Sequence, residues 1–448
     1  MTSKLQNHPN RLSTLALPGQ TDAGSRRSSA DDDGTRLLAS PQTGRLRVPD
    51  LAHPLRACPI CRGVQREVLY RQRFAEFSEE GLLAGYDVVA CRHCGFCFGD
   101  HIPGQDAFDR YYHVMSKYES NRRAPDPADP DRQRFVAMAP IIERAARPEE
   151  RILEIGCASG QLLHVLKERG FSRLRGIDPS PTCGKIAREG YGIAVDCATF
   201  SNLKTSEPLA DLVILVGVLE HICDLDQAMA VLKTLVPAGG RLFVTVPDAS
   251  RYSTGVDAPF QEFSVEHINY FGPLSLANLM DAHGFDPLFC DRDMIQANVR
   301  TITPVIHGAF TKRAGSPAVS NWKPSRPDPD TEPGLRKYLA KSQREHEAVL
   351  PVLEELARSP RPVLVWGAGA HTLRLLAASP LAQANLAGII DSNPRYQGKY
   401  IAGLPVLSPE PCPDENAVVL VSSRVYQEEI CRQIRDRLGW KNKIITLY

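Results

Sequence analysis

Four cysteines stand in two pairs, Cys58-Pro-Ile-Cys61 and Cys91-Arg-His-Cys94. Each Cys-x-x-Cys turn can aim both thiolates at one ion, so the two turns together can close a tetrahedral Zn2+ site. Such a site has no open coordination position, which makes the metal structural rather than catalytic. Unliganded thiols are the plainer alternative, and His93 and Cys97 are spare donors. A second set lies in Arg151-Ile-Leu-Glu154-Ile-Gly156-Cys157-Ala-Ser-Gly160 and in Asp178, which closes Leu174-Arg-Gly-Ile-Asp178. Gly156 and Gly160 carry no Cβ where a nucleoside would lie against the chain, and a helix starting there offers free N–H groups. Glu154 suits a cationic or amine-bearing ligand better than a pyrophosphate. Asp178, 22 residues beyond Gly156, stands where a carboxylate accepts two ribose hydroxyls. Asp196, or the loop 197–200 after it, should flank the base, and Val218 and His221 reach the same crevice. A third set is Glu266-His267: an imidazole titrates near neutral pH and can take a proton from a substrate. The same two side chains could equally pin their loop by hydrogen bonds. Tyr112 and Tyr118, in the aromatic-rich run Phe108–Tyr118, can cap a cofactor, reach substrate hydroxyls, or simply pack.

The elements that must position these groups are legible from periodicity. A short apolar run ending at Glu154, then the glycine turn, then the amphipathic run Leu162–Lys167 read as strand, turn and helix. Strands follow at Leu174–Asp178, Ile193–Asp196, Asp211–Gly217 and Arg241–Pro247, with a helix at Leu225–Val236 stopped by Pro237-Ala-Gly-Gly240. Five strands alternating with helices make a doubly wound, parallel α/β sheet. Its 211–217 strand delivers Val218-Leu-Glu-His221-Ile to the switch point. Beyond a Pro/Ser/Asp linker and a charged helix at Leu335–Arg358, Pro362-Val-Leu-Val-Trp-Gly-Ala-Gly-Ala370 opens a second strand-to-glycine-turn unit, with Asp391 ending its next strand. Thr372 occupies the third glycine position of a dinucleotide fingerprint, so this Rossmann-like domain reads as structural or as a contact for a sugar nucleotide. The expected boundaries are a disordered tail at 1–50, a zinc-binding module at 51–105, a catalytic domain at 106–310, a linker at 311–334 and the C-terminal domain at 335–448.

Composition narrows the partners. The 448 residues include 53 basic and 52 acidic side chains, a net charge of +1, which leaves no electrostatic footprint for bulk nucleic-acid or membrane binding. No run approaches the roughly 18 apolar residues of a membrane span, and the N-terminus lacks the apolar core of a signal peptide. Twelve cysteines are too sparse for a disulfide scaffold, so a reducing, cytoplasmic setting is expected. The strand after residue 211 ends without Asn-Pro-Pro-Tyr, which points away from amine methylation on nucleic acid. The composition sets no oligomeric state.

The Leu-Glu154-Ile-Gly156-Cys157-Ala-Ser-Gly160 run resembles motif I of the class I S-adenosylmethionine (SAM) methyltransferases. The order of parts over residues 55–448 is similar to that of the nucleotide-deoxysugar C-methyltransferases of natural-product pathways: a four-cysteine zinc module, this SAM domain, Glu266-His-Ile-Asn-Tyr-Phe271, and a terminal Val-Trp-Gly-Ala-Gly domain. The resemblance implies SAM as cofactor, structural zinc, and methylation at C3 of a nucleotide-linked 4-ketosugar. It implies His267 as general base, with Glu266 orienting the imidazole or contacting a sugar hydroxyl and Tyr112 or Tyr118 steadying an enolate oxygen. His221 is the competing base. The chain departs from the family at Ser264-Val265, where an aromatic and a second histidine are usual. It departs again at Gln296-Ala-Asn-Val-Arg300, where Gly-Gly-Ser-x-Arg is usual. Two segments expected to line the substrate pocket therefore differ. Rival readings are O- or N-methylation of another metabolite, and a non-catalytic interaction protein.

Overall fold

The computed structural model describes residues 55–77, 82–114, 130–205, 207–296, 300–315 and 326–448. The N-terminal tail, Tyr118 and residues 297–299 lie outside the described residues. The central sheet has seven strands in the order Phe285–Gln296, Ile302–Lys312, Arg241–Pro247, Leu212–Val216, Arg151–Ile155, Arg173–Asp178, Ala194–Cys197. The five strands expected from the sequence are parallel and adjacent. The other two, Phe285–Gln296 and Ile302–Lys312, form an antiparallel hairpin that docks on Arg241–Pro247. Alternation within the strands feeds two cores. Leu153, Ile155, Val213 and Leu215 face one side, and Ile152, Leu212 and Ile214 the other. Both faces are covered, which is why these strands read as unbroken apolar runs.

The N-terminal module is a four-stranded antiparallel sheet, Arg66–Arg73, Gly85–Cys91, Cys97–Asp100 and Asn269–Tyr270. Its last strand comes from far along the chain: Cys97 pairs with Tyr270 and Phe98 with Asn269. The module is thereby stitched to the loop that carries His267. Its apolar side chains belong to the same cores as the rest, with Phe96 and Phe98 in one and Tyr86 in another beside Phe263 and Tyr338.

The C-terminal unit holds a six-stranded sheet, Tyr400–Ile401, Leu404–Leu407, Leu386–Ile390, Val363–Trp366, Val418–Val421 and Ile444–Thr446. A 28-residue helix, Thr331–Arg358, leads into it. That helix approaches the turn Ala249–Thr254 so closely that a Cβ at Gly334 would overlap the Ser250 carbonyl. In the glycine turn after Val363–Trp366, Thr372 Oγ1 donates to the Gly367 carbonyl at 2.6 Å and lies 2.7 Å from Ser422 Oγ. The hydroxyl fills the space that a third glycine leaves open in a dinucleotide site. No helix among the described residues is long and apolar enough to cross a membrane.

Candidate active site

The turn after strand Arg151–Ile155 bends sharply, with Gly156 at φ 72°, Ala158 at φ 46° and Gly160 at φ 77° before helix Gln161–Glu168 begins. At Gly156 the need for glycine is double. The backbone is left-handed, and a Cβ would sit 2.8 Å from Val218 Cγ2. Glu154 is 3% exposed, and its Oε2 has no hydrogen-bond partner. Burial, reinforced by the neighbouring Asp178 charge, pushes its carboxyl up to about 8. Asp178 is buried too, but Oδ2 accepts from the Ala158 N–H at 2.8 Å and Oδ1 from the Ser180 N–H at 2.9 Å. Burial raises it and these two donors draw it back. Glu154, Gly156, Gly160, Asp178 and Val218 are therefore gathered around one turn. An orphaned carboxylate oxygen beside a Cβ-free cradle fits a ligand that carries both an ammonium and a ribose.

Two residues of the same set face elsewhere. The Cys157 sulfur packs against Gly176, where a Cβ would overlap it. Asp196 is ion-paired to Arg175 at 2.5 Å at the exposed sheet edge, and Cys197, one position on, is the residue level with Asp178.

A cleft of about 700 Å³ opens at the carboxyl ends of strands Leu212–Val216 and Arg241–Pro247. His221 and His267 meet in it with ring centroids 4.9 Å apart. His221 sits on a short 3-10 turn, Leu219–His221, directly after the strand. Its Nδ1 is 3.1 Å from the Tyr112 hydroxyl and 3.1 Å from the Glu266 carbonyl. Tyr112 thus reaches the histidine pair rather than the open cleft. Its neighbour Tyr111 lines the cleft and donates to Glu266 Oε1 at 3.0 Å. Burial, then the Glu266 charge, raises the Tyr111 phenol. Both tyrosines ride helix Gln105–Val114, which is tied to the His221 loop because Gln105 Oε1 accepts from the Cys223 and Asp224 N–H groups.

The loop bearing His267 is held from the N-terminal module. Gly99 N–H donates to the Ile268 carbonyl at 2.7 Å, and Ile268 N–H to the Glu220 carbonyl at 2.9 Å. Tyr270 Oη donates to the His267 carbonyl at 2.9 Å. Arg56 spans the junction, donating to the Gly99 and Cys223 carbonyls. In the module itself the four sulfurs of Cys58, Cys61, Cys91 and Cys94 converge, with Cys58 and Cys94 sulfurs 3.5 Å apart and Cys61 and Cys91 sulfurs also 3.5 Å apart. Two crossed pairs at that spacing fit a tetrahedral thiolate shell. Cys97 is not part of it: its thiol donates to the Gly95 carbonyl.

The C-terminal unit completes the cleft with the turn Ala368-Gly369-Ala370 and with Tyr396 and Tyr426. Two acids missed in the sequence also line it. Burial lifts Asp257 to about 6 and Glu262 to about 8. Arg300 pairs with Glu428 of the C-terminal unit.

Two family models match the chain: a methyltransferase domain over residues 131–288 and a C-methyltransferase C-terminal domain over residues 326–447. These are the domains of a SAM-dependent methyltransferase. Among curated proteins the chain is similar to ubiquinone biosynthesis O-methyltransferases. The protein from Mesorhizobium japonicum is 32% identical over 121 residues, 25% of this chain and 48% of that one. One from Pseudomonas aeruginosa is 31% identical over 111 residues, 23% of this chain and 47% of that one. The chain spans about half the length of the curated relatives it matches. Solved structures that align with it include a SAM-dependent methyltransferase from Methanosarcina mazei, at 17% identity over 39% of this chain and 98% of that one, TM-score 0.33. Another is the 1,6-didemethyltoxoflavin-N1-methyltransferase of Burkholderia thailandensis with bound S-adenosylhomocysteine, at 18% identity over 41% of this chain and 80% of that one, TM-score 0.32.

Proposed function

We propose that this SAM-dependent methyltransferase methylates carbon, at C3 of a nucleotide-linked 4-keto-deoxysugar. The observation that carries the reading is the convergence of His221, His267 and Glu266 in a cleft that the C-methyltransferase domain also lines. SAM, when bound, supplies an electrophilic methyl on a sulfonium. Glu154, Asp178 and the Gly156–Gly160 turn would hold it, Glu154 through an ammonium and Asp178 through ribose hydroxyls.

A ketone makes the neighbouring C–H acidic. His267 takes that proton and the electron pair passes into an enolate, whose carbon end would form the new bond to the methyl group as the sulfur–methyl bond breaks and its electron pair stays on the now neutral sulfur. Glu266, steadied by the Tyr111 hydroxyl, orients the substrate through a sugar hydroxyl, and Tyr112 holds His221 beside the base. The enolate oxygen needs a donor, which the Nε2 of a protonated His221 would supply. Arg134 and the amides of Gly369 and Ala370, at the start of helix Ala370–Ala378, line the same cleft and suit the diphosphate. Zn2+ held by Cys58, Cys61, Cys91 and Cys94 would lock the module that anchors the His267 loop, with no open position for catalysis. The direct test of the base is proton exchange. A 4-ketodeoxysugar nucleotide incubated in D2O should lose its C3 proton signal with the wild-type protein and keep it with His267→Ala. Equal exchange with both proteins would remove His267 from the role.

One observation favours a second reading, O-methylation of another small metabolite: the curated relatives are O-methyltransferases. There His267 would deprotonate a hydroxyl, and the methyl of the product would sit on oxygen.

A further inference from the structure

Glu220, His221 and His267 bring a carboxylate oxygen and two imidazole nitrogens to within 4.8 Å of one another at the floor of the cleft. Glu220 is 3% exposed, so it is not a surface acid that merely happens to stand near two rings. The backbone sets the three positions: the Ile268 N–H bonds the Glu220 carbonyl, and the Asn269 amide donates to the Leu219 and Ile222 carbonyls at 2.9 and 2.7 Å.

The orientation of His221 adds a second argument. Its Nδ1 lies 3.1 Å from the Glu266 carbonyl oxygen, which can only accept, so that nitrogen carries the ring proton. In the neutral ring Nε2 is then a lone pair, and it faces Glu220 Oε1 at 3.9 Å. A carboxylate oxygen and an imidazole nitrogen at that spacing can share a cation. A ring whose far nitrogen is held by a backbone carbonyl is the arrangement that orients a metal-ligating histidine. His267 supplies the third donor.

We propose a second metal site, distinct from the four cysteines, in which Glu220, His221 and His267 bind one divalent cation of the zinc, cobalt or nickel kind. Two imidazoles and one carboxylate match the softness of those ions better than that of Mg2+ or Ca2+. Asp257, which burial lifts only to about 6, adds negative charge to the cleft at neutral pH. A cation there occupies the lone pair of His267 and so blocks its use as a base: the site is inhibitory. The inhibition rests on the reading of His267 as the base, whereas the binding does not.

The test uses the full chain with its cysteine site already filled with zinc. Cobalt(II) is titrated in, and binding is followed by calorimetry and visible absorption. The expected result is one cobalt per chain with d–d bands and no thiolate-to-metal charge transfer. Glu220→Gln and His267→Gln, changes in two separate loops, should each weaken binding at least about tenfold. Methyl transfer should fall as cobalt fills the site and return on brief chelation. No cobalt beyond the cysteine site, or binding unchanged in both variants, overturns the proposal and leaves a shared proton as the cation. Cobalt bound with turnover unaffected overturns the inhibitory role. A cobalt site lost in both variants, in a protein inactive on every ketosugar, upholds the site and counts against the function instead.

Discussion

Replacing Glu154 by Gln should make the ligand-free protein more stable and its hold on SAM weaker. The folded carboxyl stands near 8, against 4.5 for an ordinary glutamate, because it is buried beside Asp178. The folded state therefore keeps a proton that the unfolded state releases, so stability falls as pH rises from about 4.5 to about 8 and is level above that. At pH 7 the gap of about 2.5 pH units, at about 1.4 kcal/mol each, makes Glu154 unfavourable by about 3 kcal/mol. Glutamine carries no charge but brings an amide that wants partners, which takes back about 1 kcal/mol. The net gain is about 2 kcal/mol at pH 7, and it vanishes near pH 5, where the wild-type penalty is below about 1 kcal/mol. Denaturation midpoints of the two proteins at pH 5 and pH 7, with SAM absent, measure this. Calorimetric titration should show SAM binding about 10- to 100-fold weaker in the variant, the loss of one charge-assisted contact. A variant less stable than wild type at pH 7, or a stability difference equal at both pH values, would refute the argument that Glu154 is an unsatisfied acid kept for its ligand.

Other outcomes follow from the same geometry. Gly156→Ala puts a Cβ against Val218 at a φ of 72°, and SAM binding by calorimetry should drop about 5- to 150-fold, from strain of about 1–3 kcal/mol. Tyr111→Phe removes the donor to Glu266; kcat should fall about tenfold, one hydrogen bond to a charged group, with SAM affinity unchanged. Elemental analysis should find one tightly held zinc per chain, and Cys91→Ser should lose it. Because strand Cys97–Asp100 holds Asn269–Tyr270, that variant should lose methyl transfer.

The parallel half of the sheet was legible because its strands are buried on both faces, and Leu212–Val216 in particular is unbroken apolar sequence. The hairpin Phe285–Gln296 and Ile302–Lys312 was not. Its first strand lies largely at the surface and carries Asp291-Arg292-Asp293 and Pro287, which break the strand pattern while the backbone still pairs. The fourth strand of the N-terminal module was hidden for a different reason. Asn269–Tyr270 is two residues long, and its partner lies some 170 positions earlier, so no local signal marks it. Motif spacing found Glu154, Gly156, Gly160 and Asp178 because one turn gathers them. Of the alternatives offered beside the base, Asp196 or the loop 197–200, the strand pairing sets Cys197 level with Asp178. Among the tyrosines the sequence pointed to Tyr112 and Tyr118 and passed over Tyr111, because spacing does not show which ring faces the cleft. The fold turns Tyr112 to His221 and Tyr111 to Glu266. Glu262 and Asp257 went unnoticed because their interest lies in burial, which spacing alone does not reveal.

The most direct test of carbon methylation is the fate of a labelled methyl. SAM carrying a 13C methyl group is incubated with nucleotide-linked 4-ketodeoxysugars and the wild-type protein, and the product is read by 13C NMR. The proposed function predicts a methyl bonded to carbon, adjacent to the retained ketone, and its absence with His267→Ala. A methyl signal at the shift of an O–CH3 or N–CH3 group, or no transfer to any ketosugar by a protein that binds SAM, would contradict it.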